Sequence, residues 1–356
     1  MAQKIIITSP SLDTNQNVSG ISSVTRFIIS CNTKNEYLHF ELGKGDNDKR
    51  NIFWFLRIIK TYFNWVTWVI CKHGTIIHFN FSVDKRVLLR DSPLILFAKI
   101  FRKRIILHLH GGEYLLKKGP KWMEVFLYLI FTGNNPTIVL SQEEAAYIKC
   151  RYKCKNIFVL PNCIDLAEAK MFKRDIFNGI LKLLFMGKIS KNKGIEYIFL
   201  ALQNLKNEGL LFEFYLAGKG PDEDEYIKKF KAVLGDSFFF KGVVSGNKKY
   251  DLLKNSNVFL LPSFFEGLPI ALLESMAFGL IAIATPVGSI KNIINDGKNG
   301  LIVKQKSVIE IENAIKKLDN DVYFRQVLSD KAREDIFLNY DPKKYVNTLN
   351  KIYRYE

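Results

Sequence analysis

The sequence predicts an α/β protein of two doubly wound domains, and three observations predict it. The chain has 356 residues, which is long for a single hydrophobic core. Short apolar, strand-like runs alternate with helical stretches, the pattern of a parallel sheet covered on both faces. The alternation then starts afresh after a turn near the middle, Pro161-Asn162-Cys163-Ile164-Asp165. Hydrophobic residues make up 48% of the chain, ample for burial and too many for bulk disorder. The expected domains are 1–164 and 165–340, with 341–356 a helix that packs back on the first domain.

In the first half, strands are read at Lys4–Thr8, Glu36–Leu42, Thr75–Phe81, Arg104–His110, Pro136–Ser141 and Asn156–Leu160. Helical stretches fall between them. Ligands of such sheets sit at the carboxyl ends of the strands, so the residues that follow each strand matter most. A loop from Ser9 to Ser19 follows the first strand, and Gly20-Ile21 opens a helix. The fourth strand ends in His110-Gly111-Gly112, where the glycines leave room beside a histidine able to donate a hydrogen bond near neutral pH. His108 reads as a structural residue of the opposite face.

Residues 52–71 form an unusual helix. Arg57, Lys60, Thr61, Asn64, Thr67 and Cys71 recur at three- and four-residue spacing as one polar stripe, and nearly everything else is bulky and apolar. Two environments fit: a core helix packed on the sheet, which its place between two strands favours, and a helix lying in a membrane interface. A mixed case, sheet on one side and lipid on the other, fits as well. The basic cluster Arg102-Lys103-Arg104 beside apolar Ile100 and Phe101 reads as a helix end or as part of an anionic-lipid patch.

In the second half, a strand at Leu183–Met186 runs into Gly187-Lys188-Ile189-Ser190-Lys191-Asn192-Lys193-Gly194, and a helix follows to about Glu208. The charged connector Leu166 to Ile180 leads into it. Strands follow at Phe212–Ala217, Phe238–Lys241 and Val258–Leu261, the middle one ending in the turn Gly242-Val243-Val244. Asp222 and Asp224 open a helix, where acids suit the dipole, rather than a metal site. The organising stretch is Pro262 to Thr285. Its loop Phe265-Glu266-Gly267-Leu268-Pro269 enters an apolar helix, with Pro269 expected at the first helical position. Free amides at Ile270 and Ala271 make an anion site at the positive helix end. Glu266 and Glu274 flank it, and carboxylates accept hydrogen bonds from sugar and ribose hydroxyls.

Two glutamates separated by seven residues, with Gly267 and Pro269 between them and Gly279 closing the helix, resemble the donor-site motif of retaining GT-B glycosyltransferases. The nearest likeness is to family four, the glycosyl transferases group 1. The resemblance is strong from Leu183 to Val303 and diffuse before His110. It implies the GT-B fold, two Rossmann-like domains facing across a cleft that holds the donor. It places Glu266 against the donor sugar and Glu274 on the ribose. Lys188, where arginine is usual, and Lys193 would clamp the diphosphate beside Gly187. An arginine-to-lysine change keeps the charge but loses the planar fork. His110 would reach the donor sugar, Gly20 would admit the donor phosphates, and backbone near Val244 would contact the base. Gly267, Leu268, Ile270 and Ala271 complete the donor site. Cys163 stands where glycine is usual in the Pro-Asn turn. Glu266, His110 and Lys193 are thus the candidate catalytic residues.

The expected function is metal-independent transfer of a hexosyl or N-acetylhexosaminyl group with retention. The donor would be a nucleotide-sugar, UDP favoured over GDP, and the acceptor a glycan or lipid-linked saccharide of surface polysaccharide synthesis. No cofactor is expected. Two alternatives remain: a sugar-nucleotide epimerase or hydrolase of the same fold, and a catalytically silent glycan- or lipid-binding protein.

Charge and cysteines bound the partners. Net charge is +17, and residues up to 170 hold 24 Lys/Arg against 13 Asp/Glu, the rest 28 against 22. That excess calls for an acidic partner. No nucleic-acid module is recognisable, so an anionic membrane surface is the candidate partner rather than nucleic acid. The five cysteines are scattered, as free thiols of a reducing cytoplasm would be. The start MAQKIIITSP lacks a signal-peptide core, and no run of apolar residues is long enough to span a bilayer. The expected location is cytoplasmic, peripheral on the inner membrane face.

Overall fold

The computed structural model describes residues 2–14, 16–43, 45, 51–174 and 179–355. The chain divides into two compact units, Met1–Asn162 with Lys343–Glu356, and Cys163–Pro342. The observed division after Asn162 lies two residues before the expected one at 164.

The first unit carries β1 (Lys4–Ser9), α1 (Gly20–Cys31), β2 (Glu36–Glu41), α2 (Ile52–Cys71), β3 (Ile76–Phe81) and α3 (Lys85–Ile100). It continues through β4 (Ile105–Leu109), α4 (Lys121–Phe131), β5 (Thr137–Val139), α5 (Gln142–Tyr152) and β6 (Ile157–Val159). Its six strands pair in parallel in the order β2-β1-β3-β4-β5-β6. β3 and β4 are buried along their whole length, as central strands of a doubly covered sheet must be. The fourth strand stops at Leu109, so His110 lies just beyond it rather than within it.

α2 departs from the favoured expectation of a core helix. Only Trp65 and Val69 of its twenty residues are buried. Its second half packs: Trp65 donates to the Leu94 carbonyl at 2.9 Å and meets Phe40 and Phe79 edge-on, and Tyr62 donates to the Arg90 carbonyl at 2.6 Å. Its outer side does not: Ile52, Leu56, Ile59, Phe63 and Ile70 are exposed, Phe63 by 70%. The sheet needs one side of this helix, and an apolar helix has two. Among the described residues no helix is long and apolar enough to cross a membrane.

The second unit carries α6 (Ala167–Met171), β7 (Leu181–Met186), α7 (Ile195–Asn207), β8 (Phe212–Ala217), α8 (Glu223–Leu234), β9 (Phe238–Gly242) and α9 (Gly246–Lys254). Then come β10 (Val258–Leu261), α10 (Ile270–Ala277), β11 (Ile281–Ala284), β12 (Leu301–Ile302), α11 (Val308–Asn320) and α12 (Val322–Asn339). Its sheet order is β12-β11-β10-β7-β8-β9, again parallel. Of the charged connector, residues 175–178 lie outside the described residues.

The last helix, α13 (Pro342–Arg354), belongs almost entirely to the first unit. Tyr345, Leu349, Ile352 and Tyr353 are its buried face, at helical spacing. Tyr345 packs edge-on against Phe27 of α1, with ring centroids 5.5 Å apart, and Asn350 accepts hydrogen bonds from Asn32 and Asn35.

Candidate active site

The site in the second unit is built from two loops that leave the carboxyl ends of β7 and β10. The first runs from Gly187 to a single helical turn, Lys191–Lys193, and enters α7 through Gly194. Gly194 adopts φ +75°, and a side chain there would fall 2.1 Å from the Pro262 carbonyl oxygen. Only glycine lets the two loops touch at this point. The contact is completed by Phe264, whose N–H donates to the Asn192 carbonyl at 2.9 Å.

This apposition brings Lys193 onto Glu266. The ammonium lies 2.6 and 2.7 Å from the two carboxylate oxygens, and Ser263 donates its hydroxyl to the same carboxylate at 2.7 Å. The Glu266 side chain is only 6% exposed and that of Lys193 28%. Burying a carboxylate that deeply is costly unless such partners satisfy its oxygens. An ammonium has three donors, and here two point at Glu266, so one remains for another anion. The loop is braced from behind. Gly288, at φ +56°, would with a side chain meet the Glu266 carbonyl oxygen at 2.0 Å. Ser289 N–H donates to the Gly267 carbonyl at 2.9 Å, and the Thr285 hydroxyl to the Ser263 carbonyl at 2.5 Å.

Pro269 is the N-cap of α10 rather than its first residue, so the helix starts one residue later than expected, because the Pro269 ψ of 123° is extended rather than helical. Leu273 N–H is bonded to the Pro269 carbonyl at 3.3 Å, so the amides of Ile270, Ala271 and Leu272 stand ahead of the helical ladder. They form the anion-attracting end of the helix. Leu268 is buried beneath the loop. One turn on, Glu274 forms an ion pair with Lys249 of α9 at 2.6 Å, both side chains about four-fifths buried (21% and 17% exposed). Each motif glutamate therefore carries its own lysine.

Lys188 is exposed and forms no ion pair among the described residues. Gly187 lies under it, and its carbonyl oxygen would be 1.8 Å from a side chain at Gly218, so two strand-end loops press backbone to backbone. Val244 sits half-buried in the loop between β9 and α9. Asp222 accepts the Lys191 N–H at 2.8 Å, and no group of three metal-ligating side chains occurs among the described residues.

In the first unit Gly20 opens α1, with Ser19 capping it, and open space lies where a side chain would go. His110 is half-buried. Its Nε2 lies 2.8 Å from Asn80 Oδ1, and its ring is 4.1 Å from that of His108. His108 is fully buried, as expected of a structural residue, but it lies on the same side as His110 rather than the opposite one, because strand residues two apart share a face. Its Nδ1 meets His78 Nε2 at 3.0 Å, and His78 Nδ1 meets the Tyr353 hydroxyl at 2.6 Å. Burial holds all three imidazoles far below their ordinary range, His78 and His110 to about 3. They are neutral at pH 7.

Sequence reasoning found Lys193, Glu266 and Glu274, and the structure pairs the first two directly. It missed Ser263, Lys249 and Asn80. Ser263 stands three residues before Glu266 and was within reach of a search for short side chains facing the loop. Lys249 is one of many lysines, 25 residues from its partner.

A parallel two-sheet architecture with its charged loops at the strand ends is that of the GT-B glycosyltransferases. The structure of HepE from Anabaena, solved with UDP-glucose, superposes with a TM-score of 0.72 over 98% of each chain at 15% identity. Residues 167–335 match the family of glycosyl transferases group 1. An uncharacterised glycosyltransferase of Methanocaldococcus jannaschii is 27% identical over 282 residues, 72% of this chain and 70% of that protein. An α-1,4-N-acetyl-D-galactosaminyltransferase of Campylobacter jejuni, named for an undecaprenol-diphosphate-linked acceptor, is 32% identical over 240 residues, 67% of this chain and 65% of that protein. The alignments to the first three curated relatives span 40 to 70% of those proteins' own length. The fold is GT-B, and residues 167–335 belong to the group 1 glycosyltransferases.

Proposed function

We propose that the protein transfers a hexosyl or N-acetylhexosaminyl group, with retention and without a metal, from a UDP-sugar to a glycan or lipid-linked saccharide in surface polysaccharide synthesis. The observation that carries this reading is the Lys193–Glu266 pair, held by Ser263. Free amides of Ile270 and Ala271 head α10 in the same unit. When the bond between anomeric carbon and phosphate breaks, negative charge grows on the leaving diphosphate. Lys193, Lys188 and the helix amides are the groups suited to meet it, each such donor contributing on the order of 3 kcal/mol. Glu266 orients the sugar and steadies positive charge at its anomeric carbon. The acceptor oxygen forms the new bond, and its proton goes to the departing phosphate. The UDP complex of HepE supports uridine as the base, and the Campylobacter relative supports a lipid-linked acceptor.

The experiment offers UDP- and GDP-sugars with undecaprenyl-diphosphate saccharides, with and without a chelator, and reads the product anomer by NMR. Retained configuration at an unchanged rate in chelator is expected. Epimerised donor, free sugar matching all the UDP released, or an inverted linkage would each overturn the reading.

We infer from the first unit that the reaction takes place at an anionic membrane surface. Residues 51–131 hold 13 Lys/Arg against 4 Asp/Glu, and Arg57, Lys60, Lys85, Arg86, Lys117 and Lys121 are exposed there. On α2 itself, which carries Arg57 and Lys60, Phe53 and Phe63 are bared by 73% and 70%. Apolar rings flanked by cations fit an anionic bilayer surface, and two copies so charged would repel. Co-sedimentation with phosphatidylglycerol vesicles, absent with phosphatidylcholine and lost in Phe53→Ser/Phe63→Ser, is expected. Equal binding to both lipids would contradict it.

A further inference from the structure

The orientation of one buried amide decides how His110 meets its substrate. Asn80 stands on β3, 4% exposed. Its Nδ2 lies 2.8 Å from the Thr8 carbonyl oxygen and 3.2 Å from the Thr25 hydroxyl oxygen. A carbonyl only accepts. The Thr25 hydroxyl proton is already committed to the Ile21 carbonyl at 2.9 Å, so its oxygen accepts as well. Both neighbours therefore require the amide NH₂ on their side. Reversing the amide would set two carbonyl oxygens against each other with no proton between them. The Asn80 oxygen is thereby turned toward His110, whose Nε2 is 2.8 Å away, and this oxygen too can only accept. The proton lies on Nε2. A neutral imidazole has one N–H, so Nδ1 bears a lone pair, and it has no hydrogen-bond partner among the described residues.

We propose that Asn80 is a positioning residue for His110: it fixes the Nε2–H tautomer, so the ring offers substrate an acceptor, and the sugar group it reads must donate a hydrogen bond. The inference rests on the glycosyl-transfer reading and reverses the expectation of a donating histidine. A hydroxyl or an amide N–H fits Nδ1. A carbonyl or phosphate oxygen does not. The ring has little freedom to turn away, because His108 lies against it and is itself tied through His78 to Tyr353.

The test labels the histidines of the full chain with ¹⁵N, assigns His110 by its absence in His110→Gln, and reads the two ring nitrogens at pH 7. A protonated Nε2 with a bare Nδ1 is expected in the unmutated protein. A protonated Nδ1 overturns the proposal without any variant. In Asn80→Ala, loss of the acceptor should let both tautomers appear and lower kcat/KM about tenfold, the worth of one hydrogen bond near the upper end of the usual range. A cooperative thermal melt with an unchanged far-UV circular dichroism spectrum would show that the first unit still folds. A single Nε2–H tautomer with normal kcat/KM in that variant also overturns the proposal. The tautomer is read without substrate, so its failure is distinct from a failure to find transfer.

Discussion

The two units share one plan, six parallel strands with loops at their carboxyl ends, yet they hold their polar groups in opposite ways. The second unit uses charge. Lys193 and Lys249 each neutralise a glutamate, and glycines at 194 and 288 let backbones close in behind them. Around His110 the first unit uses neutral groups. His110, Asn80, Thr8 and Thr25 form one uncharged network, and Tyr353, His78 and His108 another. On the proposed reading, charge suits a unit that meets a diphosphate, and neutral acceptors suit a unit that reads hydroxyls.

The largest expected effect breaks the charged side of this contrast. Glu266→Gln keeps the shape and removes the charge, and transfer should fall by about a hundredfold or more with the melting temperature little changed. His110→Ala should cost less, about tenfold, since it removes one neutral hydrogen bond. Steady-state rates of the purified variants check both.

The next effect is on stability against pH. Free histidine titrates near 6.5, and in the fold His78 and His110 titrate near 3. Between these values the unfolded chain binds protons that the folded one refuses. The stabilisation is therefore complete above about pH 6.5 and is lost as pH falls toward 3, with a slope of up to about 1.4 kcal/mol per pH unit for each group. Glu144 acts oppositely. Burial raises its carboxyl to about 7 from an ordinary 4.5. Its contribution is complete below about 4.5 and disappears as pH rises through 7. Denaturant melts from pH 4 to 8 should show the first unit weakening in acid. A flat profile would mean the imidazoles are not held neutral.

A smaller effect sharpens the contrast within the second unit. Lys249→Met should raise the donor KM about fivefold to tenfold and leave kcat within about twofold, because Glu274 lies away from the reacting bond on this reading. Equal losses in both constants would place Lys249 nearer the chemistry.

How far the sequence was legible follows the same division. Glycines and charges at fixed spacing expose a site directly, so Lys193, Glu266, Glu274 and the helix that follows Pro269 could be read, the last with its cap displaced by one residue. Asn80 could not. It sits inside an apolar strand, and its role depends on residues 72 and 55 positions away in the chain. Lys249 had no local pattern to single it out. The helix α2 shows a different limit. Periodicity tells which residues share a side, and it does not tell which side meets the core, so a helix apolar on most of its circumference read as more deeply packed than it is.

The most direct single measurement is a calorimetric titration of UDP into the unmutated protein, Lys193→Ala and His110→Ala. UDP should bind the unmutated protein, bind Lys193→Ala at least about tenfold more weakly, and bind His110→Ala with unchanged affinity, since His110 is assigned to the sugar. No binding of UDP, or equal affinity in Lys193→Ala, would contradict the assignment of the charged loops of the second unit to the nucleotide diphosphate.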